Sequence, residues 1–170
     1  MIEDFLKTAL KLKTIPRQGW INKLGIKYPE SVADHCYSMA VMAMLFSDLK
    51  KLDTEKVIKM TLLHDLAESI TGDLTPDDAT KSKKEKLETL AMKKILASLP
   101  KSLKSEYGKL WAEYQQNSTK EAKLLHQIDK LEMALQAEHY KKKGYTKKQL
   151  KPFFDSAKNG ITDTSLKKIL

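Results

Sequence analysis

Residues Thr61 to Asp73 read Thr-Leu-Leu-His-Asp-Leu-Ala-Glu-Ser-Ile-Thr-Gly-Asp. His64, Asp65, Glu68 and Asp73 fall within this run, set among Leu62, Leu63, Leu66 and Ile70. On a helix, residues three and four apart share a face, which makes Glu68 a neighbour of both His64 and Asp65. The apolar residues between them turn that face toward the interior. Carboxylates in such surroundings are costly unless they are paired or hold a metal. The stretch therefore predicts the second half of a helix that opens at Asp53-Thr54 and closes near Gly72.

The flanking sequence is helical throughout. Ile2, Phe5, Leu6, Ala9 and Leu10 follow the i, i+3, i+4 spacing of an amphipathic helix ending near Lys13. Pro16, Gly19, Gly25 and Pro29 then predict a loop over 14–30. Ser31 caps a second helix, with Asp34 in its first turn and Val32, Cys36, Met39, Ala43 and Phe46 facing inward. Beyond the turn-rich stretch 73–80, Ser82-x-x-Glu85 and Ser118-x-x-Glu121 read as capping boxes. The second of these opens a long helix through Leu125, Ile128, Leu131 and Leu135 that Gly144 ends. Thr146-x-x-Gln149 starts a shorter helix, and a last turn spans Asp163 to Leu170. No stretch reads as a strand or a repeat. The expected fold class is all-α, with about seven or eight helices in one domain over residues 1–170.

Composition narrows the function classes. The 170 residues are 41% hydrophobic and 31% charged, as in ordinary globular proteins. No apolar run is long enough to span a membrane. The single cysteine, Cys36, excludes an internal disulfide and suits a reducing compartment, so a cytoplasmic location is expected. The net charge of +9 comes almost wholly from lysine, because Arg17 is the one arginine among 31 basic residues. Readers of nucleic acid lean on arginine, so no dedicated nucleic-acid partner is expected.

Metal ligands are sought as residues that oppose their surroundings, and His35, His64, Asp65 and Asp129 do so. Helices from separate parts of a chain can aim such side chains at one bundle-core site. Two imidazoles and two carboxylates suit manganese, cobalt, iron or zinc, with magnesium as an alternative. Each residue also has a plainer reading: His35 as a hydrogen-bonded core histidine, Asp129 as an exposed partner of Lys123 or Lys130. Trp20 can equally plug the core, and Arg17 can equally salt-bridge an acid. Spacing alone leaves these readings open.

The order His…His-Asp…Asp resembles the HD-domain metal-dependent phosphohydrolases. Four blocks carry a closer resemblance, to the YfbR-like HD-domain 5'-deoxynucleotidases: Pro16-Arg17-Gln18-Gly19-Trp20, Pro29 to His35, His64 to Glu68 with Gly72-Asp73, and Asp129-Lys130-Leu131-Glu132. They lie within 1–140, and the Lys-rich tail 141–170 matches no motif. The resemblance implies a single HD domain that binds one divalent metal through His35, His64, Asp65 and Asp129. It implies hydrolysis of deoxyribonucleoside 5'-monophosphates by a homodimer, with Glu68 and Asp73 as catalytic acids and Arg17 and Trp20 binding substrate. Two residues separate Arg17 from Trp20, whereas some bacterial members have the pair adjacent. Other HD phosphohydrolase substrates, (p)ppGpp-like, cyclic or triphosphate nucleotides, form the second reading. A non-catalytic metal-stabilised scaffold or an RNA binder using 141–151 forms the third.

Overall fold

In the computed structural model, which describes residues 2–170, the chain is all-α. Ten α-helical segments are found among the described residues. These are α1 (Ile2–Lys11), α2 (Gln18–Leu24), α3 (Val32–Leu49), α4 (Thr54–His64), α5 (Glu68–Thr71), α6 (Lys81–Leu96), α7 (Lys101–Gln116), α8 (Lys120–Lys142), α9 (Lys147–Gly160) and α10 (Thr164–Lys167). The excess over the expected seven or eight comes from α2 and from α5, which is split off from the helix expected to run to Gly72; α10 is the expected last turn. A 3₁₀ turn at Leu12–Thr14 follows α1.

Helices α3, α4 and α8 form the centre. Met39, Ala43 and Phe46 of α3 meet Val57 and Met60 of α4 and Leu125, Ile128 and Leu131 of α8. Burial of each large side chain there stabilises the fold by about 1.5–3 kcal/mol. Helix α9 lies along α8, and Phe153 and Leu150 close a smaller cluster around Trp20, Tyr140 and Leu24. A third cluster under α1 joins Leu12, Val32, Leu63, Leu66, Met92, Ile95 and Trp111.

Three boundaries differ from expectation, each for a local reason. The helix over the quoted stretch breaks at Asp65, which takes φ −103°, ψ 10°. His64 Nδ1 lies 2.5 Å from the Thr61 carbonyl, the acceptor that the Asp65 N–H would need to continue the helix. The freed His64 carbonyl accepts from Trp111 Nε1 at 3.3 Å instead. Secondly, the expected loop 14–30 contains α2. Its first N–H, Gln18 N, donates to Asp73 Oδ2 at 2.7 Å, a cap supplied from far along the chain. Thirdly, the caps of α6 and α8 are Thr80, which accepts from Lys83 N, and Thr119, which accepts from Ala122 N. Ser82 lies inside α6, and Ser118 precedes the cap of α8. The capping boxes at Ser31–Asp34 and Thr146–Gln149 are as expected.

Gly72 ends α5 at φ 74°, ψ 170°, a backbone region that is essentially glycine's alone. A Cβ there would meet nothing within 4 Å, so the cost of adding one is conformational rather than steric. Gly72→Ala is expected to destabilise the protein by about 1–3 kcal/mol, read as a lower midpoint in urea with an unchanged m-value.

Candidate metal centre and polar cleft

Three helices aim at one point. The Ser31–Asp34 capping box sets the start of α3 and so fixes His35 one turn in, where it is fully buried. The break after α4 turns His64 and Asp65 to the same place. From α8, Asp129 and Glu132 project from one face, one turn apart. One donor atom each from His35, His64 and Asp65 lies within 4.8 Å of the others. His64 Nε2 is 3.1 Å from Asp65 Oδ2. His35 Nε2 is 3.7 Å from Asp65 Oδ2 and 3.5 Å from Asp129 Oδ1.

The hydrogen bonds of the outer ring nitrogens assign the tautomers. A carbonyl only accepts, so His64 Nδ1 donates to Thr61 O. Glu132 Oε2, 2.7 Å from His35 Nδ1, holds the other ring in the same way. Both Nε2 lone pairs are thereby left facing inward. His35 Nε2, His64 Nε2 and Glu68 Oε2 are the buried side-chain polar atoms without a hydrogen-bond partner among the described residues. Buried polar atoms are rarely left unsatisfied. Two imidazole lone pairs converging on a carboxylate, each ring steadied from behind, fit a divalent cation.

Electrostatics favour ionised ligands. Burial would raise the Asp65 carboxyl, but His64, His35 and Arg17 beside it hold it well below the usual carboxylate range. Asp129 is likewise lowered against the cost of burial, by His35, Lys130 and Arg17. Burial pulls the His64 imidazole down, and neighbouring Asp65 more than restores it. Glu68 goes the other way. Burial, then the charges of Asp65 and Asp73, push its carboxyl well above the usual range, with Lys84 and Arg17 opposing. Behind the centre, burial and the charge of Glu132 push Glu30 up to about 7.

A cleft of about 210 Å³ opens on the centre, lined by Arg17, His64, Asp65, Glu68, Lys84, Glu88, Tyr114, Gln115 and Asp129. Arg17 Nη1 lies 3.7 Å from Asp65 and 4.0 Å from Asp73, and Nη2 lies 4.0 Å from Asp129. Burial opposes the Arg17 charge, but these carboxylates keep it firmly protonated. Asp73 Oδ2 accepts from Gln18 N at 2.7 Å and stands 4.0 Å from Arg17 Nη1. Trp20 packs against α8 and α9. It is 2% exposed, stacked on Phe153 at 4.1 Å and edge-on to Tyr140, and its Nε1 donates to Glu30 at 2.8 Å. Glu132, Glu30, Lys84 and Glu88 also surround the centre, the last three without a distinct signal in the sequence. Glu132 was within reach, since it stands one helical turn from Asp129 on the same inward face.

The HD domain family model matches residues 9–169. The chain is 42% identical over 154 residues to human 5'-deoxynucleotidase HDDC2, covering 90% of this chain and 74% of that protein. It is 43% identical over 166 residues to 5'-deoxynucleotidase HDDC2 of Dictyostelium discoideum, covering 91% and 87%. The solved structure of PH0347 protein from Pyrococcus horikoshii superposes with a TM-score of 0.82 at 37% identity, over 99% of this chain and 93% of that one.

Glu132 touches the candidate centre through the His35 ring. Glu132→Gln keeps the volume but removes the charge behind the ring, and is expected to weaken divalent-ion affinity by about 10–100-fold. Isothermal titration of the metal-free protein with manganese checks this; unchanged affinity would remove His35 from the ligand set.

Proposed function

The chain belongs to the HD-domain family, and on that premise we propose that it is a 5'-deoxynucleotidase, converting a deoxyribonucleoside 5'-monophosphate and water to deoxynucleoside and inorganic phosphate. The observation that carries the reading is the meeting of two unpartnered imidazole nitrogens, of His35 and His64, at Asp65, beside a cleft lined by Arg17 and by Glu68 with its unpartnered oxygen. Relatives at about 40% identity that bear the name 5'-deoxynucleotidase support the substrate class.

In this reading His35, His64, Asp65 and Asp129 hold one divalent ion, manganese, cobalt, iron or zinc, with magnesium as an alternative. Such an ion supplies Lewis acidity toward the phosphate and water of lowered pKa. Arg17 binds phosphate oxygens through its planar fork, a geometry lysine lacks. Its loose pairs at 3.7–4.0 Å leave the fork free to turn toward an anion. Glu68, with Oε2 bare, takes the proton of the attacking water as the new O–P bond forms. The bond from phosphorus to the 5'-oxygen breaks, and that oxygen gains the proton Glu68 has taken, which restores the carboxylate. Asp73 supports this chemistry by holding the first turn of α2, and with it Arg17.

With manganese or cobalt, dAMP is expected to release inorganic phosphate faster than AMP does. Glu68→Gln is expected to lower kcat by about 10²–10⁴-fold with the thermal midpoint retained. Release of pyrophosphate from ppGpp or tripolyphosphate from dNTPs, with none of phosphate from dAMP, would move the chain to the second class of HD substrate. Full activity in the Glu68→Gln protein would remove Glu68 from the mechanism.

We further propose a homodimer located in the cytoplasm. No helix among the described residues is long and apolar enough to cross a membrane. Tyr37, Val41, Met44, Leu45 and Leu49 expose one apolar face of α3, beside exposed Leu62 and an apolar groove of about 420 Å³ that includes Phe5, Leu12 and Tyr107. A second copy covering this face would bury it. Val41→Asp with Leu45→Asp is then expected to shift sedimentation from dimer to monomer; a monomeric wild type would sink this reading.

A further inference from the structure

Lys84 enters the cleft from α6, a helix that carries none of the residues assigned above. Its ammonium is held by three acceptors. It donates to Leu74 O at 2.9 Å and to Glu68 Oε1 at 3.4 Å, and lies 3.5 Å from Glu88 Oε1. Leu74 O and Glu68 Oε1 take two of its three N–H donors, and the Glu88 carboxylate adds an ion pair. Lys84 is thus not a spare cation waiting for an anionic substrate. Arg17, with only long ion pairs, is.

The three acceptors have one thing in common. Glu68 is on α5, Leu74 follows Gly72-Asp73, and Glu88 lies one turn along α6. Lys84 therefore ties the catalytic carboxylate to the loop that carries Asp73, and Glu88 holds the lysine from the far side. The two oxygens of Glu68 are unequal as a result: Oε1 faces the ammonium, and Oε2 has no partner. Without Lys84, nothing else distinguishes them, because no other hydrogen bond reaches the Glu68 carboxylate among the described residues.

We propose that Lys84 is a positioning residue for Glu68: by engaging Oε1 it presents Oε2 to the attacking water and prevents the carboxylate from rotating out of line. This rests on the reading of Glu68 as the proton acceptor. Lys84 is about one-third exposed while Glu68 is 2% exposed, so removing the ammonium also leaves a buried carboxyl without its partner, and kcat has to be read separately from thermal midpoint. Misplacing a reacting group can cost about 10²-fold in rate.

The experiment uses the manganese-loaded full chain and dAMP. Lys84→Met keeps the apolar stem and removes the charge. It is expected to lower kcat about 10–100-fold with KM within about twofold, because substrate contacts are untouched. Lys84→Arg, which can still engage Glu68, is expected to recover much of the loss. Measured at high enzyme concentration, Lys84→Met added to Glu68→Gln is expected to cost no more than about twofold further, because the two act as one unit. A raised KM with unchanged kcat would make Lys84 a substrate contact instead. Additive losses in the double variant would separate it from Glu68, and a fall in thermal midpoint with unchanged kcat would reduce it to structure; each outcome overturns the proposal. Wild-type protein inactive on dAMP would instead overturn the nucleotidase reading, and this inference with it.

Discussion

The contact between His35 Nδ1 and Glu132 Oε2, 2.7 Å long and fully enclosed, joins α3 to α8 at the middle of the molecule. A carboxylate buried this deeply is tolerable only beside a donor that needs it, and the imidazole needs it to keep its other nitrogen bare. The hydrophobic centre of α3, α4 and α8 is what brings the two together. Met39, Leu125, Ile128 and Leu131, all buried, leave no room for the helices to slide. Packing sets the spacing of the donors, and the donors give that packing its function. The cleft inherits its shape from the same three helices.

Around this contact the charges are graded. Asp65 and Asp129 are held ionised by imidazole and guanidinium, whereas Glu68, deeper and with carboxylates for neighbours, is held toward its protonated form. Carboxyl groups of one chemical type therefore sit ready for different tasks, binding a cation or exchanging a proton, with the difference made by burial and neighbours alone. A cleft with this many acids attracts a cation and repels an anion until a cation is in place. The lysine-rich surface adds a general attraction for anions.

Much of this was legible before the fold was known. The caps at Ser31 and Thr146, the apolar stripes of α3 and α8, and the helix class follow from period and capping chemistry. His35, His64, Asp65 and Asp129 stood out because each opposes an apolar face, and they do meet. What escaped depended on contacts distant in sequence. Helix α2 owes its cap to Asp73, some fifty residues on, so Pro16 and Gly25 read only as loop. The break at Asp65 results from a side chain competing for the Thr61 carbonyl, which periodicity does not register. Trp20 packs against Phe153 and Tyr140 from the C-terminal third, contacts that the sequence alone does not display. Lys84 was one lysine among thirty, and nothing local distinguished it.

That abundance of lysine gives the remaining cation a separate significance. Arg17 is the chain's single arginine and stands in the cleft wall at the N-terminus of α2. Any chemistry that discriminates guanidinium from ammonium therefore sees one address in the whole molecule. A dicarbonyl reagent becomes a titrant of the cleft itself, its uptake counting intact sites and its exclusion counting occupied ones. A surface so uniform in its basic residues makes its one exception a built-in reporter.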